Sequence, residues 1–242
     1  MNNRFIILVT QRDAKPFIRK CLDSILAQTY KNYVVTIMDD CSTDGTWEIV
    51  KEYSFYAFRN SIKWKRPCKN FVAGINAFAT EKEDIVVMLS GDDWFYSNDV
   101  LATLNKVYQE DVWMTYGNFI PSSGKYGPYC VPLKNTKKYR KSGTWVVSHL
   151  VTFKKKLWDK IERKDLLYKD GDYPLNSFDC AFLYPMIEMA GLKHIMFIEK
   201  VLYVYNDENP VAAEHFDEDP GACLRERQYW MDKPSYVELT EL

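Results

Sequence analysis

The chain has 242 residues with 32 Lys plus Arg against 33 Asp plus Glu, a formal net charge of −1, and that balance argues against a dedicated nucleic-acid binder. Its 47% hydrophobic and 27% charged residues are ordinary globular composition, in a chain long enough to bury about 70% of its unfolded surface. No apolar run approaches the roughly 20 residues that cross a bilayer, so no integral membrane segment is expected. Asn2, Asn3 and Arg4 lead straight into an apolar run, so no leader is expected either.

The six cysteines are scattered without a CxxC pair and read as reduced thiols of a cytoplasmic protein. The three histidines form no HExxH, which disfavours a zinc hydrolase. Charge is uneven: residues 206–242 hold ten acids and three bases, a tail of −7 on a body of +6. A basic stretch at Lys134, Lys137, Lys138, Arg140 and Lys141 reads as a solvated loop with a capacity to attract anions.

In chain order, Phe5 to Thr10 is a short continuous apolar run, the pattern of a strand buried on both faces of a parallel sheet. Pro16 opens a helix whose Phe17, Ile18, Cys21, Leu22, Ile25 and Leu26 share one face. A second strand is expected over Tyr33 to Met38, a helix from Asp44 and Gly45 through Tyr53, and a third helix over Phe71 to Phe78. Asp84 to Leu89 reads as another buried strand and 98–109 as a fourth helix, completing a doubly wound α/β pattern.

The stretch from Gly117 to Gly143 is expected to be a long polar loop. Structure resumes at Val146 to Phe153, followed by a short helix near Lys156 to Ile161 and a strong one at Phe178 to Met189. Two strands are expected at His194 to Ile198 and Val201 to Tyr205, then a helix near Pro220 to Met231 in the acidic tail. The organisation expected is one half over 1–116, a second half of the same domain over 117–206 and a C-terminal appendage over 207–242 that offers a homodimer contact.

Ligands of open parallel sheets bind beyond the carboxyl ends of the strands. Three strands here end in polar residues: Thr10 and Gln11, then Asp39 and Asp40, then Ser90, Gly91, Asp92 and Asp93. Adjacent carboxylates need a cation to offset their repulsion, and hard oxygen ligands of this kind suit Mn2+ or Mg2+ bridging to substrate phosphates. Neither GxGxxG nor GxxxxGK[ST] occurs, which disfavours dehydrogenases and P-loop ATPases.

The order FIILVTQRDAKPFIRKCLDSILAQTYKNYVVTIMDDCSTDGT, NFVAGINAFA and DIVVMLSGDDWF resembles the family 2 glycosyltransferases of the GT-A fold. VSHLVTFKKKLW, NSFDCAFLYPMIEMAG and IEKVLYVYNDENP are similar to the acceptor-side half of that family. The resemblance implies a nucleotide-sugar donor, a UDP-sugar, and transfer with inversion to a hydroxyl of a glycan or glycoconjugate. It gives Asp39 the reading of the base, supported by Thr10, Gln11, Arg12 and Asp40, with Arg66 or Lys69 meeting the diphosphate. Ser90 stands where many relatives carry the first acid of DxD, Gly91 follows, Asp92 matches the metal ligand and Asp93 the acid after it. His215 is a candidate to complete the metal shell. Asp179 matches the catalytic carboxylate, His149 shapes the acceptor site, and Trp94 and Trp145 offer flat faces for sugar stacking. A sugar nucleotidyltransferase, whose Gly-rich first loop is missing after Thr10, and a non-catalytic glycan-binding module remain as alternatives.

Overall fold

The computed structural model describes residues 2–64, 66–125, 127, 130–210 and 221–242. Within them eight strands form one sheet in the order β3-β2-β1-β4-β7-β6-β8-β5. β1 (Phe5–Gln11), β2 (Tyr33–Asp39), β3 (Tyr56–Arg59) and β4 (Ile85–Ser90) run parallel, so their carboxyl ends meet on one side. The register sets Gln11 beside Asp39 and Thr10 beside Ser90.

β1 is buried along almost its whole length because it feeds two cores by simple alternation. Ile6 and Leu8 join the core that contains α3 (Pro67–Phe78) and α7 (Phe178–Ala190). Phe5, Ile7 and Val9 join the core built with α1 (Ile18–Leu26) and α4 (Val100–Val107). Helix α3 lies close on β1 at Gly74, where a Cβ would stand 2.4 Å from a Leu8 methyl. It starts at Pro67 rather than Phe71, because proline suits the first helical turn. Helix α2 is only Thr46–Val50, shorter than expected.

The second half departs further from expectation. The loop expected from Gly117 begins as strand β6, Met114–Pro121, with Tyr116 and Phe119 buried. Its alternation is broken where the pairing with β8 shifts register between Gly117 and Phe119. Gly117 is required there, since a Cβ would meet the Ile198 carbonyl oxygen at 2.6 Å. The same irregularity explains why two expected strands are one, β8 (Ile195–Tyr205), with Glu199 and Lys200 exposed at the excursion. Short β7 (Thr152–Lys154) is antiparallel to both β4 and β6, so the regular strand expected from Val146 begins only at Thr152. The two-residue β5 (Trp94–Phe95) pairs antiparallel with β8, and neither it nor the exposed edge strand β3 is among the expected elements.

After β6 come α5 (Thr136–Tyr139) and, beyond β7, α6 (Lys155–Trp158). Helix α7 is apolar on all sides and buried from Cys180 to Ala190. The last helix, α8 (Ala222–Asp232), packs on α7 and buries Trp230 to 1% exposure, so this part of the tail is built into the core. Arg140, expected in a solvated loop, is buried with its guanidinium forked onto Glu188 of α7 at 2.7 and 2.6 Å, and its Nη1 donates to the Trp230 carbonyl at 3.0 Å. No helix among the described residues is long and apolar enough to cross a membrane.

Candidate active site

The parallel strands deliver their polar ends to one rim. Asp39, at 0% exposure, is enclosed by donors: Gln11 Nε2 and Ser42 Oγ on Oδ1, the Ser42 amide on Oδ2 at 3.2 Å, and Arg59 Nε 3.4 Å from Oδ2. Burial raises its carboxyl above the usual value, and the Ser42 and Arg59 contacts oppose that rise. The carboxylate organises the end of β2 and the 42–46 turn rather than presenting an open edge. Gln11 Oε1 is buried without a hydrogen-bond partner among the described residues. Asp40 faces the other way, where its Oδ1 accepts from Asn60 Nδ2 at 2.9 Å and the Trp64 amide at 2.8 Å. Arg12 lies beside Asp13, with Nε 4.0 Å from Oδ2.

The turn after β4 separates two adjacent acids. Gly91 donates its amide to the Thr10 carbonyl at 2.9 Å, and a Cβ there would meet Gln11 Cβ at 2.4 Å, so glycine lets the turn close on β1. Asp92 is half-buried, with Oδ2 accepting from Asn209 Nδ2 at 2.7 Å, and burial raises its carboxyl. Asp93, expected as a second metal ligand, is instead a structural acid. It is 2% exposed, with Oδ2 taken by the Tyr203 hydroxyl and Oδ1 by the Asn206 amide at 2.7 Å. Burial and the neighbouring Asp92 charge push it well above the usual carboxylate range. The turn after β4 thus leaves one acid of the pair bonded into the core and the other half-buried at the rim.

Among the described residues no group of three His, Cys, Asp or Glu side chains converges as a metal cage. The donor set still fits Mn2+ or Mg2+, because such ions are held by one or two carboxylates and complete their shells with water and substrate phosphates. Asp92 is a carboxylate of that kind at the rim. His215 lies outside the described residues.

Of the two expected diphosphate contacts, Arg66 is engaged by other residues. Arg66 pairs with Asp170 at 3.0 Å and Asp172 at 3.3 Å and donates to the Tyr173 carbonyl, which ties the entry of α3 to the 170–173 turn. Lys69 stands over the Trp64 ring at 4.9 Å and lines a cavity of ≈ 450 Å³ with Trp64, Trp158 and Arg163. Trp94 has Lys20 Nζ 3.5 Å from its ring centroid, and Trp145 packs edge-on against Tyr184 at 5.9 Å with Arg227 5.4 Å from its ring. His149 is stacked on Tyr203 at 4.7 Å and Tyr205 at 5.3 Å, and burial lowers its imidazole to about 4, so it is neutral near pH 7.

Asp179 sits in the first turn of α7, half-buried, and its carboxyl meets no hydrogen-bond donor among the described residues. Burial raises it to about 6. The titratable groups beside it are the Cys68 thiol of α3 and the Cys180 thiol of α7, both pushed up first by burial and then by the Asp179 charge. A carboxyl without donors, titrating near neutrality, is suited to accept a proton. The sequence motifs pass over Tyr203, Asn206 and Asn209, although all three lie in the quoted segment IEKVLYVYNDENP, and over Ser42 and Arg59.

Residues 5–168 match the family described as Glycosyl transferase family 2. The chain belongs to that family. Over 219 residues, 85% of its length, it is 23% identical to glycosyltransferase GlyA of Streptococcus pneumoniae, of which it covers 31%. Over 117 residues it is 28% identical to the UDP-Glc:alpha-D-GlcNAc-diphosphoundecaprenol beta-1,3-glucosyltransferase WfaP of Escherichia coli, covering 47% of this chain and 45% of that one. The chain thus spans less than half the length of either curated relative. Among solved structures, S. aureus TarS 1–349 superposes with a TM-score of 0.66 at 16% identity, over 84% of this chain and 60% of that one. The mannosyltransferase PcManGT of Pyrobaculum calidifontis superposes at 0.61 with 18% identity, over 98% and 66%. These likenesses give the family 2 chain the GT-A fold expected from its motifs.

Proposed function

We propose that this chain is the catalytic module of an inverting glycosyltransferase that moves a hexose-type sugar from a UDP-linked donor to a hydroxyl of a glycan or glycoconjugate. The observation that carries the reading is Asp179, a carboxyl held to about 6 by burial with no hydrogen bond among the described residues to stabilise its charge. A base with that affinity is ionised at neutral pH and still takes a proton readily as the acceptor oxygen attacks.

Asp92 is the residue that would hold Mn2+ or Mg2+, assisted by Asn209, which orients it. When bound, the ion supplies charge neutralisation for a departing diphosphate. Asp39, Gln11, Ser42 and Arg59 form a braced floor for the nucleotide base, with Thr10 and Arg12 at its edge. The UDP preference is supported by the donor named for WfaP and by TarS structures described in complex with UDP and with UDP-GlcNAc. The metal assignment is supported by the PcManGT structure, described with GDP-Man and Mn2+.

The test is thermal stabilisation by UDP, GDP, UDP-glucose, UDP-GlcNAc and GDP-mannose, each with and without Mn2+. UDP compounds with Mn2+ are expected to raise the melting temperature most, since a ligand at about 100 times its dissociation constant adds about 2.7 kcal/mol. Equal responses to UDP and GDP remove the donor assignment, and responses indifferent to Mn2+ remove the metal. Binding of a glycan without Mn2+-dependent release of free nucleotide diphosphate from any of these donors favours the glycan-binding alternative.

A further inference from the structure

The loop that leads into α7 has no cap of its own. Ser177 occupies the N-cap position, yet its side chain caps no helix amide. Its Oγ instead donates to the Cys223 carbonyl of α8 at 2.8 Å. The backbone N–H groups just before the helix converge on a side chain about fifty positions later. Leu175 N donates to Glu226 Oε1 at 3.1 Å, and Asn176 N and Ser177 N donate to Oε2 at 2.8 and 2.9 Å. Glu226 is 5% exposed, so this carboxylate is buried and satisfied by the backbone of one turn.

We propose that Glu226 is a positioning residue for Asp179: its carboxylate gathers the N–H groups of Leu175, Asn176 and Ser177 and so fixes the turn from which α7 presents Asp179. The inference rests on the reading of Asp179 as the base. Charge-assisted bonds to backbone amides are stronger than neutral ones, and three to one carboxylate define the path of the turn. The turn needs such an external hold, because the Asp179 carboxyl makes no hydrogen bond among the described residues that would fix it directly.

Glu226 is itself held. One turn farther along α8, Trp230 is buried in the core and its carbonyl accepts from the buried Arg140. The adjacent Arg227 donates from Nη2 to the carbonyls of Gly143 and Thr144 at 3.0 and 2.9 Å, so α8 also holds the loop before Trp145. One helix thus braces two loops of the acceptor-binding half, and it lies beyond the residues that match the family. The groups that titrate beside Asp179 are the Cys68 and Cys180 thiols, both raised first by burial and then by the Asp179 charge.

The test reads Asp179 directly, by carbon-detected NMR of protein labelled in aspartate carboxyls, with Asp179→Asn assigning the signal. In the wild type the signal is expected to titrate at about 6. In Glu226→Ala the released turn admits water, and the titration moves down toward 3.8, the ordinary value. UDP affinity in Mn2+ stays unchanged, while turnover of UDP-glucose to UDP falls roughly 10- to 100-fold, the scale of loss for a displacement of about 1 Å. A merely structural role would leave the titration in place. If Glu226→Ala does not fold, Glu226→Gln takes its place: it keeps the shape and one acceptor oxygen but turns an amide donor toward the N–H groups. An unmoved Asp179 titration with wild-type turnover in either folded variant overturns the positioning role. Wild-type turnover in Asp179→Asn removes the base reading, a separate failure that the Glu226 variants do not produce.

Discussion

The Tyr203 hydroxyl donates to Oδ2 of Asp93, joining β8 to the turn that presents Asp92. The bond spans 110 positions of sequence and lies wholly inside the protein. It explains why the two acids of SGDD differ in kind: Asp93 is an anchor, and Asp92 is the group left at the rim. Tyr203→Phe removes the donor and leaves a buried carboxyl oxygen unpaired, a cost of about 1–3 kcal/mol. Urea denaturation is expected to show that loss with an unchanged slope, and a loss below experimental error contradicts the anchoring role.

Asp92→Asn is expected to abolish the Mn2+ dependence of UDP binding without destabilising the apoprotein. The substitution removes a charge that burial disfavours and that raises Asp93, so the melting temperature without ligand stays level or rises. Calorimetric titration of UDP with and without Mn2+ checks the claim. Retention of a Mn2+-dependent gain in affinity places the ion elsewhere.

Asp39 braces three neighbours, so its loss acts on the proposed donor site through them. Asp39→Ala frees Gln11, Ser42 and Arg59 and is expected to weaken UDP binding by about 1.5–3 kcal/mol, the range for hydrogen bonds to charged groups. GDP affinity, measured alongside, is the control: an equal fractional loss for both nucleotides indicates collapse of the rim rather than loss of base discrimination.

The buried pair of Arg140 and Glu188 gives a prediction about stability alone. Glu188 also accepts from the Tyr236 amide at 2.9 Å, so the pair ties α7, the turn after α5 and the chain terminus together. Glu188→Ala strands the guanidinium in the core and is expected to cost about 3–5 kcal/mol. Replacing both residues by apolar ones of similar volume is expected to recover much of that loss.

The sequence makes the first half of the chain legible because β1, β2 and β4 are continuous apolar runs, each ending in polar residues, and parallel topology brings those ends together without further information. It is less informative after Val112, where strands are irregular: the register shift at Gly117 hides β6, and the exposed Glu199 and Lys200 divide β8 into two apparent strands. Residue types also leave orientation undecided. Asp92 and Asp93 are chemically identical in the sequence, and only pairing with Tyr203 and Asn206, more than a hundred positions away, separates their roles. Arg66 reads as a phosphate ligand until the 170–173 turn supplies its two carboxylates.

Asp179→Asn separates binding, chemistry and stability in one variant. Turnover is expected to fall by roughly 10²–10⁴, the usual contribution of a positioned general base, with little change in UDP affinity because the amide has nearly the same shape. In the wild type the acid limb of the pH–rate profile is expected at about 6, the value to which burial raises this carboxyl. The effect on stability has a definite sign. The folded protein binds the Asp179 proton more tightly than the unfolded chain, whose value is near 3.8, so ionisation costs stability that is lost progressively as pH rises from there through about 6. Asparagine carries no such charge. Asp179→Asn should therefore melt higher than the wild type at pH 7 and 8, with the difference closing as pH falls toward 4. A first-turn acid that stabilised its helix through the dipole would give the opposite result, a lower melting temperature at neutral pH with nearly normal turnover. Melting curves across that pH range, with turnover measured on the same preparations, decide between the two.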